Sequence, residues 1–489
     1  MSARRFILLA LLALLVTPAP LRAHGALRRA EPAAGARLSV APRFLRLTFN
    51  EAVEPAVARL ELTGPGGRAV PLSRVRQGDS ASVLTADIIG PLEAGLFVVA
   101  WQVVGRDGHP VRGHYRFTIA PGATGLGSMA PAAPAGPGVV APPAIAPPAH
   151  APAAIDSAAA ARRAGTQHEV TAMTSSSEFG PESPLFVAVR WLGYAGMLVL
   201  IGAVGFLMLV VPRAGQRGVP GNSTTDAERG ARRLGIAAAA LLLVAAVLRL
   251  VAESVAMHGV PDAFDSGMIG AMLAHTLWGK AWLLQVAGAL AAVAGFLASP
   301  RRRAVGWSLV VAATLALAVS AALSGHAAAV PGRVGLAVAA DAVHMLAAGG
   351  WLGTLLLLVL VGVPAALRLA PGERGATVAA LVTAFSPLAL AFAATVAVTG
   401  AVSAWLHLGT LTALWTAPYG RTLLVKLGVL SVLAASGAYN WLHVRPALGD
   451  EAGAHRLRRS SSFELVVGAV VLLVTAVLVA TPTPLDVVR

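Results

Sequence analysis

The sequence contains no cysteine in its 489 residues, so neither a disulfide framework nor a thiolate metal site is available to it. Any metal ligands must therefore be imidazole, carboxylate, amine or thioether groups. Charged residues are also scarce, at 12% of the chain, whereas 56% of the residues are hydrophobic and the mean hydropathy is +0.72. A soluble protein cannot bury that proportion of apolar surface, and the composition predicts a membrane protein with several spans.

Acidic residues are outnumbered by basic ones, 23 to 38, which gives a net charge of +15 and raises the question of a nucleic-acid partner. The basic residues, however, stand in short runs between apolar segments, which is the pattern of cytoplasmic membrane loops. The sequence also lacks a Walker phosphate-binding motif. We therefore expect a lipid bilayer as partner, no nucleic acid and no ATP-driven pumping.

Residues 1–23 have the layout of a secretory signal peptide. Arg4 and Arg5 precede an apolar run over residues 6–16, which is too short for a membrane span. Leu21 is larger than the small residue usual two positions before the cleavage site at Ala23, so an uncleaved signal anchor is the alternative. Cleavage after Ala23 leaves His24 as the mature N-terminus, with a free α-amine beside its imidazole.

Residues 24–120 are predicted to form a small all-β sandwich of the immunoglobulin-like or cupredoxin-like kind. Residues 44–49, 58–63 and 96–104 read as strands, and turn signals such as Gly64-Pro-Gly-Gly67 separate the strand-like runs. About seven short antiparallel strands in a segment of this length are typical of such a sandwich.

Four motifs in this region carry a resemblance to a known family. They are His24-Gly-Ala-Leu27, Glu31-Pro-Ala-Ala-Gly-Ala-Arg-Leu38, Leu47-Thr-Phe-Asn-Glu51 and Trp101-Gln-Val-Val-Gly-Arg-Asp-Gly-His-Pro-Val-Arg-Gly113. On these motifs, residues 24–119 resemble the periplasmic copper-binding CopC family nearly end to end. The resemblance implies a Cu(II) site whose ligands are His24, Asp107 and His109.

The chemistry of these three residues suits the implied metal. The amine and a ring nitrogen of His24 chelate one ion, His109 adds a third nitrogen, and Asp107 adds an oxygen, which matches the tetragonal preference of Cu(II). Asp107 and His109 are two residues apart, so they share one face of an extended segment. His114 is a candidate for an extra ligand or for a group that hydrogen-bonds to a ligand, and a solvated strand residue is the alternative.

Methionine is absent between His24 and Ile119. Some members of the CopC family carry a Met-rich Cu(I) site, and this chain lacks the thioether ligands for one. We therefore expect a single copper site, for Cu(II), in the β domain.

Residues 121–184 are rich in alanine, proline, glycine and serine and show no apolar periodicity. This composition predicts a flexible or partly polyproline tether rather than a domain. A tether of this kind raises the effective concentration of the β domain near the membrane.

Residues 185–489 contain eight apolar segments, each long enough to cross ~30 Å of hydrocarbon as a helix. They cover residues 186–211, 233–252, 277–298, 305–323, 338–363, 379–405, 422–443 and 463–481. Arginines concentrate in the loops that follow the first, third, fifth and seventh segments. By the positive-inside rule these loops are cytoplasmic, which predicts a multi-pass protein of the bacterial inner membrane with the β domain and the C-terminus in the periplasm.

The membrane half is similar to the CopD family of copper-resistance membrane proteins over residues 186–482. The matching residues are Ser324-Gly-His-Ala327, His344, Ala348-Gly-Gly-Trp-Leu-Gly353, Phe385-Ser386, Thr416, Tyr419-Gly420, Lys426, Asn440 and Phe463-Glu464. A fusion of the two families in one chain is a known arrangement. Residues 276–284 and 416–424 also echo each other, which suggests two parallel four-helix halves.

Most of the histidines and methionines of the membrane half lie toward the predicted outer side. The candidates for a membrane copper path are His326, His344, His258, His275, Met257, Met268, Met272 and Met345. Imidazole and thioether groups together suit Cu(I) as well as Cu(II). Hydrogen bonding between helices is the alternative, and it is the interpretation favoured for His407.

The combined prediction is a protein without enzymatic activity that binds Cu(II) in the periplasm and passes copper to a membrane domain. Inward movement of copper is implied by the family resemblance. Other periplasmic copper carriers are candidate partners. Two alternatives stay open: a membrane chaperone that delivers copper to a cuproenzyme without transport, and a b-type haem protein that reduces copper using His326 and His344.

Overall fold

The computed structural model describes residues 27–50, 52–105, 110–124, 183–330, 332–445, 451–481 and 483–484. Nine β-strands occupy the described part of residues 27–124, and eight long apolar helices follow from residue 184 onward. The predicted fold class, a small β domain followed by an eight-helix bundle, is confirmed. The predicted signal peptide and nearly all of the predicted tether lie outside the described residues.

The β domain consists of two sheets. Its strands are β1 (Leu27–Glu31), β2 (Arg37–Val40), β3 (Phe44–Phe49), β4 (Arg59–Thr63), β5 (Ala69–Val70), β6 (Arg76–Gln77), β7 (Val83–Asp87), β8 (Gly95–Val104) and β9 (Pro110–Thr124). One sheet has the order β1-β3-β7-β6 and the other has the order β2-β9-β8-β4-β5. The three predicted strands correspond to β3, β4 and β8.

Two features of the β domain differ from the predicted small antiparallel sandwich of about seven strands. β5 and β6 are two residues long, too short to show any alternation in the sequence. β2 runs parallel to β9, a pairing between segments that are far apart in the chain. Neither feature has a local sequence signal, because both depend on which strands the folded sandwich places beside these segments.

Alternating side chains of the two sheets form the core of the β domain. In β3, Leu45, Leu47 and Phe49 are buried, as the period of two in a strand requires. Phe49 meets the ring of Trp101 edge-on with centroids 5.2 Å apart. Burial of each large apolar side chain contributes roughly 1.5–3 kcal/mol, so this aromatic centre fixes how the two sheets stack.

The eight long helices have the length and hydropathy of membrane spans. They are α1 (Pro184–Gly215), α2 (Gly221–His258), α3 (Leu277–Ala298), α4 (Arg303–Leu323), α5 (Val334–Leu367), α6 (Pro371–Leu408), α7 (Pro418–Val444) and α8 (Arg456–Leu478). Local capping explains where some begin: the Ser183 hydroxyl accepts the Phe186 N–H at the start of α1, and Thr276 accepts the Gly279 N–H at the start of α3. Several helices continue beyond the predicted apolar segments, because polar residues at helix ends extend the helix outside the hydrocarbon.

Two short helices stand in equivalent places before α3 and α7. Ser266–His275 precedes α3, and Ala413–Thr416 precedes α7. A Cβ atom at Gly279 in α3 would collide with the backbone of the first short helix, and one at Gly420 in α7 would collide with the backbone of the second. Glycine is therefore required in both first turns, which gives the sequence echo between these segments a structural counterpart.

Glycines also set the contact between α1 and α5. A Cβ atom at Gly353 would overlap the Leu198 carbonyl oxygen, and one at Gly202 would overlap the backbone of Gly353. Gly349, in the same π-helical turn of α5, faces the side chain of Ile201. The motif Ala348-Gly-Gly-Trp-Leu-Gly353 thus lets two membrane helices approach to backbone contact, a recognised use of small residues in membranes.

The β domain contacts one end of the bundle, which we call the β-domain side. This contact involves the C-terminal end of α2 and the short helix Ser266–His275. Because successive spans alternate in direction, the connections that follow α2, α4 and α6 all lie on this side. His258, His326 and His407 are consequently at the same end of the bundle, as the sequence predicts.

Candidate functional site

The three predicted Cu(II) ligands, His24, Asp107 and His109, lie outside the residues that the structure describes. Their role as ligands stays a prediction. The chain positions nearest to them are described, however, and these positions show where in the sandwich the predicted ligands are attached.

The attachment points lie at one end of the sandwich. Leu27, at the start of β1, pairs with Phe49, and Val53, four residues further on, bridges Gly105 at the end of β8. Pro110 begins β9, the hairpin partner of β8. Leu27, Gly105 and Pro110 are each within three residues of a predicted ligand, and they lie near one another at this end. The few residues between them and the ligands can span about 3.3–3.6 Å each, which brings the predicted ligands within reach of one another.

Arg112 in β9 anchors this end of the sandwich to the membrane bundle. Its guanidinium donates to the Met257 carbonyl oxygen at 2.8 Å and to the Ala256 carbonyl oxygen at 3.3 Å. These carbonyls belong to the last turn of α2, where a helix lacks internal donors and carries the negative end of its dipole. Burial, and then the charge of Arg59, lower the pKa of Arg112. A guanidinium still keeps its charge there.

Arg59 in β4 makes a second polar contact with the bundle. Its Nη2 donates to the Sδ atom of Met268 at 2.6 Å, and its Nη1 lies 3.9 Å from a carboxylate oxygen of Asp262. Both partners belong to the connection between α2 and α3. Two arginines of the β domain thus contact the C-terminal end of α2 and the connection that follows it.

The centre of this contact is apolar. Val104, the last residue of β8, is buried together with Met257, Met272 and Trp278. We call this contact, with Arg59 and Arg112 beside it, the junction. Met257 and Met272 were predicted for a copper path, and the structure gives both thioethers a packing role. A ligand role for them stays a prediction.

The remaining candidates near the junction have different surroundings. The Ser254 hydroxyl donates to the Ala263 carbonyl oxygen at 2.6 Å, so it accepts the Nδ1–H of His258 at 3.1 Å. His275 is exposed at the end of its short helix. His114 is half-buried on β9, two residues after Arg112 and therefore on the same strand face.

Deeper candidates lie on α5 and its neighbours. His344 is half-buried, and its Nδ1 is 3.0 Å from the Thr399 hydroxyl of α6, whereas Met345 packs among α1 to α4. His326 lies in a turn before α5, where its ring faces His407. The haem alternative pairs His326 with His344, but the structure gives these two rings different partners and does not favour it.

Two charged residues of this region, Asp341 and Lys426, were not among the candidate ligands predicted from the sequence, and Lys426 entered only as a match to the CopD family. Asp341 on α5 interacts electrostatically with Lys426 on α7 and with His326. Asp341 stands three residues before His344, so both share a helix face. A carboxylate inside an apolar segment is the signal that could have identified it, because charges inside membranes are rare and functional.

Three family models match the chain. The CopC domain matches residues 27–120, the copper resistance protein D-like N-terminal domain matches residues 180–336, and copper resistance protein D matches residues 379–478. Together they cover the β domain and most of the helical bundle.

Individual proteins with similar sequences agree with these models. Copper transport protein CutJ of Bacillus subtilis (strain 168) is 24% identical, over 99% of this chain and 79% of that protein. Protein YobA of Escherichia coli (strain K12) is 34% identical, over 24% of this chain and 93% of YobA. Copper resistance protein C of Escherichia coli is 32% identical, over 20% of this chain and 82% of that protein.

Proposed function

Because this chain belongs to the CopC family through its β domain and fuses that domain to a copper resistance protein D membrane domain, we propose that it is a copper carrier. It is a multi-pass membrane protein, and its relatives are named for copper transport and copper resistance. We place it in the bacterial inner membrane, with the β domain in the periplasm. The β domain binds Cu(II), and the membrane domain receives copper and moves it inward.

The junction is the observation that carries this proposal. Val104 and Arg112, on either side of the predicted ligands Asp107 and His109, contact the C-terminal end of α2. Copper held by those ligands would therefore be released close to the β-domain side of the bundle. Covalent fusion and a packed contact remove the diffusional search that a separate soluble carrier needs.

The distribution of charge supports the proposed orientation of the bundle. The arginine-rich connections, such as the one containing Arg301, Arg302 and Arg303, lie at the end of the bundle opposite the β domain. Under the positive-inside rule that end is cytoplasmic. Copper that enters at the junction and leaves at the other end would then be imported.

Transport can be separated from simple delivery with purified protein reconstituted into liposomes. We expect radioactive copper to accumulate inside vesicles that contain the protein and not inside protein-free vesicles. If copper moves from the protein to an external acceptor but never enters the lumen, the protein is a membrane chaperone instead. A Soret band in the absorption spectrum of the purified protein would support the haem alternative.

A charge reversal at the junction should slow uptake. Arg112→Glu removes charge-assisted hydrogen bonds worth ~1.5–3 kcal/mol and sets a carboxylate against the negative end of α2, so docking should weaken by about tenfold or more. We expect copper uptake at limiting copper to fall by about that factor, while the Cu(II) affinity of the protein stays unchanged.

Arg116→Glu is the matched control for this substitution, because Arg116 is an exposed arginine on the same strand. It makes the same change of charge away from the junction and should leave uptake near the wild-type rate. Equal uptake by Arg112→Glu and Arg116→Glu would show that the junction has no part in transfer.

A further inference from the structure

Three aromatic rings from three separate elements meet at the β-domain side of the bundle. His326 begins a short turn between α4 and α5, His407 lies in the last turn of α6, and Tyr419 lies in the first turn of α7. The ring centroids are 6.3 Å apart for the two histidines, 6.5 Å for His326 and Tyr419, and 6.3 Å for His407 and Tyr419. All three side chains are buried.

The spacing of the two imidazoles fits one shared metal ion. A first-row metal binds an imidazole nitrogen at about 2.0 Å, and that nitrogen lies about 1 Å from its ring centroid, so two rings on opposite sides of one ion have centroids about 6 Å apart. The observed 6.3 Å between the ring centroids of His326 and His407 matches the separation that a nearly linear arrangement requires. A tetrahedral pair of ligands would bring the centroids closer together.

A backbone contact of α6 sets the tautomer of His407. The Nδ1 atom of His407 is 2.6 Å from the Ser403 carbonyl oxygen, which can only accept a hydrogen bond, so Nδ1 carries the proton. The lone pair of the ring is then on Nε2. Metal-binding histidines are commonly oriented in this way, with one nitrogen donating to a carbonyl oxygen and the other facing the metal.

Arg249 of α2 binds Ser324, which stands two residues before His326. One guanidinium nitrogen donates to the Ser324 hydroxyl at 3.1 Å and another donates to the Ser324 carbonyl oxygen at 3.1 Å. This two-point contact fixes the backbone two residues before His326. Arg249 and Met257 belong to the same helix, eight residues or about 12 Å apart, so α2 connects the junction to this turn.

The residues next to the two histidines in the chain belong to apolar clusters. Ala327 and Val330 pack with Leu406 on one side, and Leu408 packs with Tyr419 and Leu423 on the other. Two nitrogens in such surroundings fall short of the four nitrogen or oxygen ligands that Cu(II) prefers. Cu(I) has a filled d shell and accepts two nearly linear ligands.

We propose that His326 and His407 form a two-coordinate binding site for Cu(I), with Tyr419 as one wall. The site gives His407 a metal-binding role in place of the hydrogen-bonding role expected from the sequence. It rests on the proposed copper-carrier function, which it deepens by naming the ligands at the β-domain side of the bundle for copper that arrives there as Cu(I). The proposal concerns binding alone and includes no electron transfer.

The site can be tested by anaerobic titration of the full-length protein in detergent with Cu(I), in competition with bicinchoninate. We expect His326→Ala and His407→Ala each to bind one equivalent of Cu(I) fewer than the wild type. His443→Ala is the matched control, because His443 is an exposed histidine at the opposite end of the bundle, and it should bind as the wild type does. Unchanged Cu(I) stoichiometry in both site variants would overturn the proposal.

X-ray absorption at the copper edge tests the same site without relying on the variants to fold. Cu(I)-loaded wild-type protein should contain copper with two nitrogen neighbours in nearly linear geometry, and this component should be missing from any folded site variant. A spectrum with only sulfur neighbours or only three- to four-coordinate copper would refute the site.

The liposome assay separates this proposal from the proposed function. Protein that holds Cu(I) between the two histidines but does not accumulate copper in vesicles would refute transport and leave the site standing. Uptake by wild-type protein in which no copper is bound by these histidines would refute the site and leave transport standing.

Discussion

Replacing His24 with alanine is expected to abolish tight Cu(II) binding by this protein. His24 supplies one of the two imidazoles of the predicted site and forms a chelate ring together with its own α-amine. Its loss should cost more affinity than the about 10–100-fold that follows removal of a group supporting a metal ligand. Asp107→Ala should weaken binding less, because the carboxylate oxygen is the weaker ligand in a nitrogen-rich Cu(II) site.

Competition with a calibrated chelator measures these affinities in the full-length protein, and electron paramagnetic resonance reports how many nitrogens bind the ion. His150→Ala is a suitable control, because it removes a histidine of the predicted tether and leaves the predicted ligands intact. Equal affinity in all of these proteins would refute the ligand assignment. If N-terminal sequencing shows that the mature protein starts at a residue other than His24, the α-amine of His24 cannot be a copper ligand.

Gly353→Val is expected to prevent folding of the membrane domain. A Cβ atom at this position would overlap the Leu198 carbonyl oxygen, and backbone cannot move aside as a flexible side chain can. The cost should reach or exceed the top of the ~1–3 kcal/mol range for overpacked sites. That is a large part of a typical native stability of about 5–15 kcal/mol. Separation of α1 from α5 would also displace His344 and the residues around it.

Size-exclusion chromatography and thermal unfolding in detergent measure this effect. We expect a severalfold smaller monodisperse fraction and a lower Tm for Gly353→Val. Gly428→Val is the matched control, because Gly428 is a helical glycine of α7 whose Cβ would meet no atom within 4 Å. A Gly353→Val protein as stable as the Gly428→Val protein would contradict the role given to this helix contact.

The junction changes how the predicted copper-path residues are understood. Met257 and Met272 were candidates because thioethers bind copper, yet both are buried beside Val104 and Trp278 in an apolar contact between the domains. Sequence can identify a methionine at the end of a span. It does not reveal that a strand end from another domain covers that methionine.

Much of the local structure could be predicted, because its signals are local. The strand over residues 44–49 was predicted with its final limits, since apolar and polar residues alternate there with a period of two. The parallel pairing of β2 with β9 could not be predicted, because a four-residue strand can pair with any free edge of suitable shape. The choice among edges is made by the packed sandwich.

The pair of His326 and His407 shows the same difference between what local sequence predicts and what packing decides. His326 and His407 are separated by two membrane spans, and nothing in the residues around His407 distinguishes a metal ligand from a helix hydrogen-bonding group. Their rings come to 6.3 Å only because the turn after α4 packs against the end of α6.

The sequence alone determined the class of molecule, the number of spans, their predicted orientation and the ligand chemistry, because hydropathy, loop charge and the absence of cysteine are properties summed over residues. The tertiary structure decided which of the candidate residues meet. Contacts between distant segments, such as Arg112 with the end of α2 or His326 with His407, depend on how whole domains and helices pack. That packing is a collective result of many weak interactions, and no single stretch of sequence encodes it.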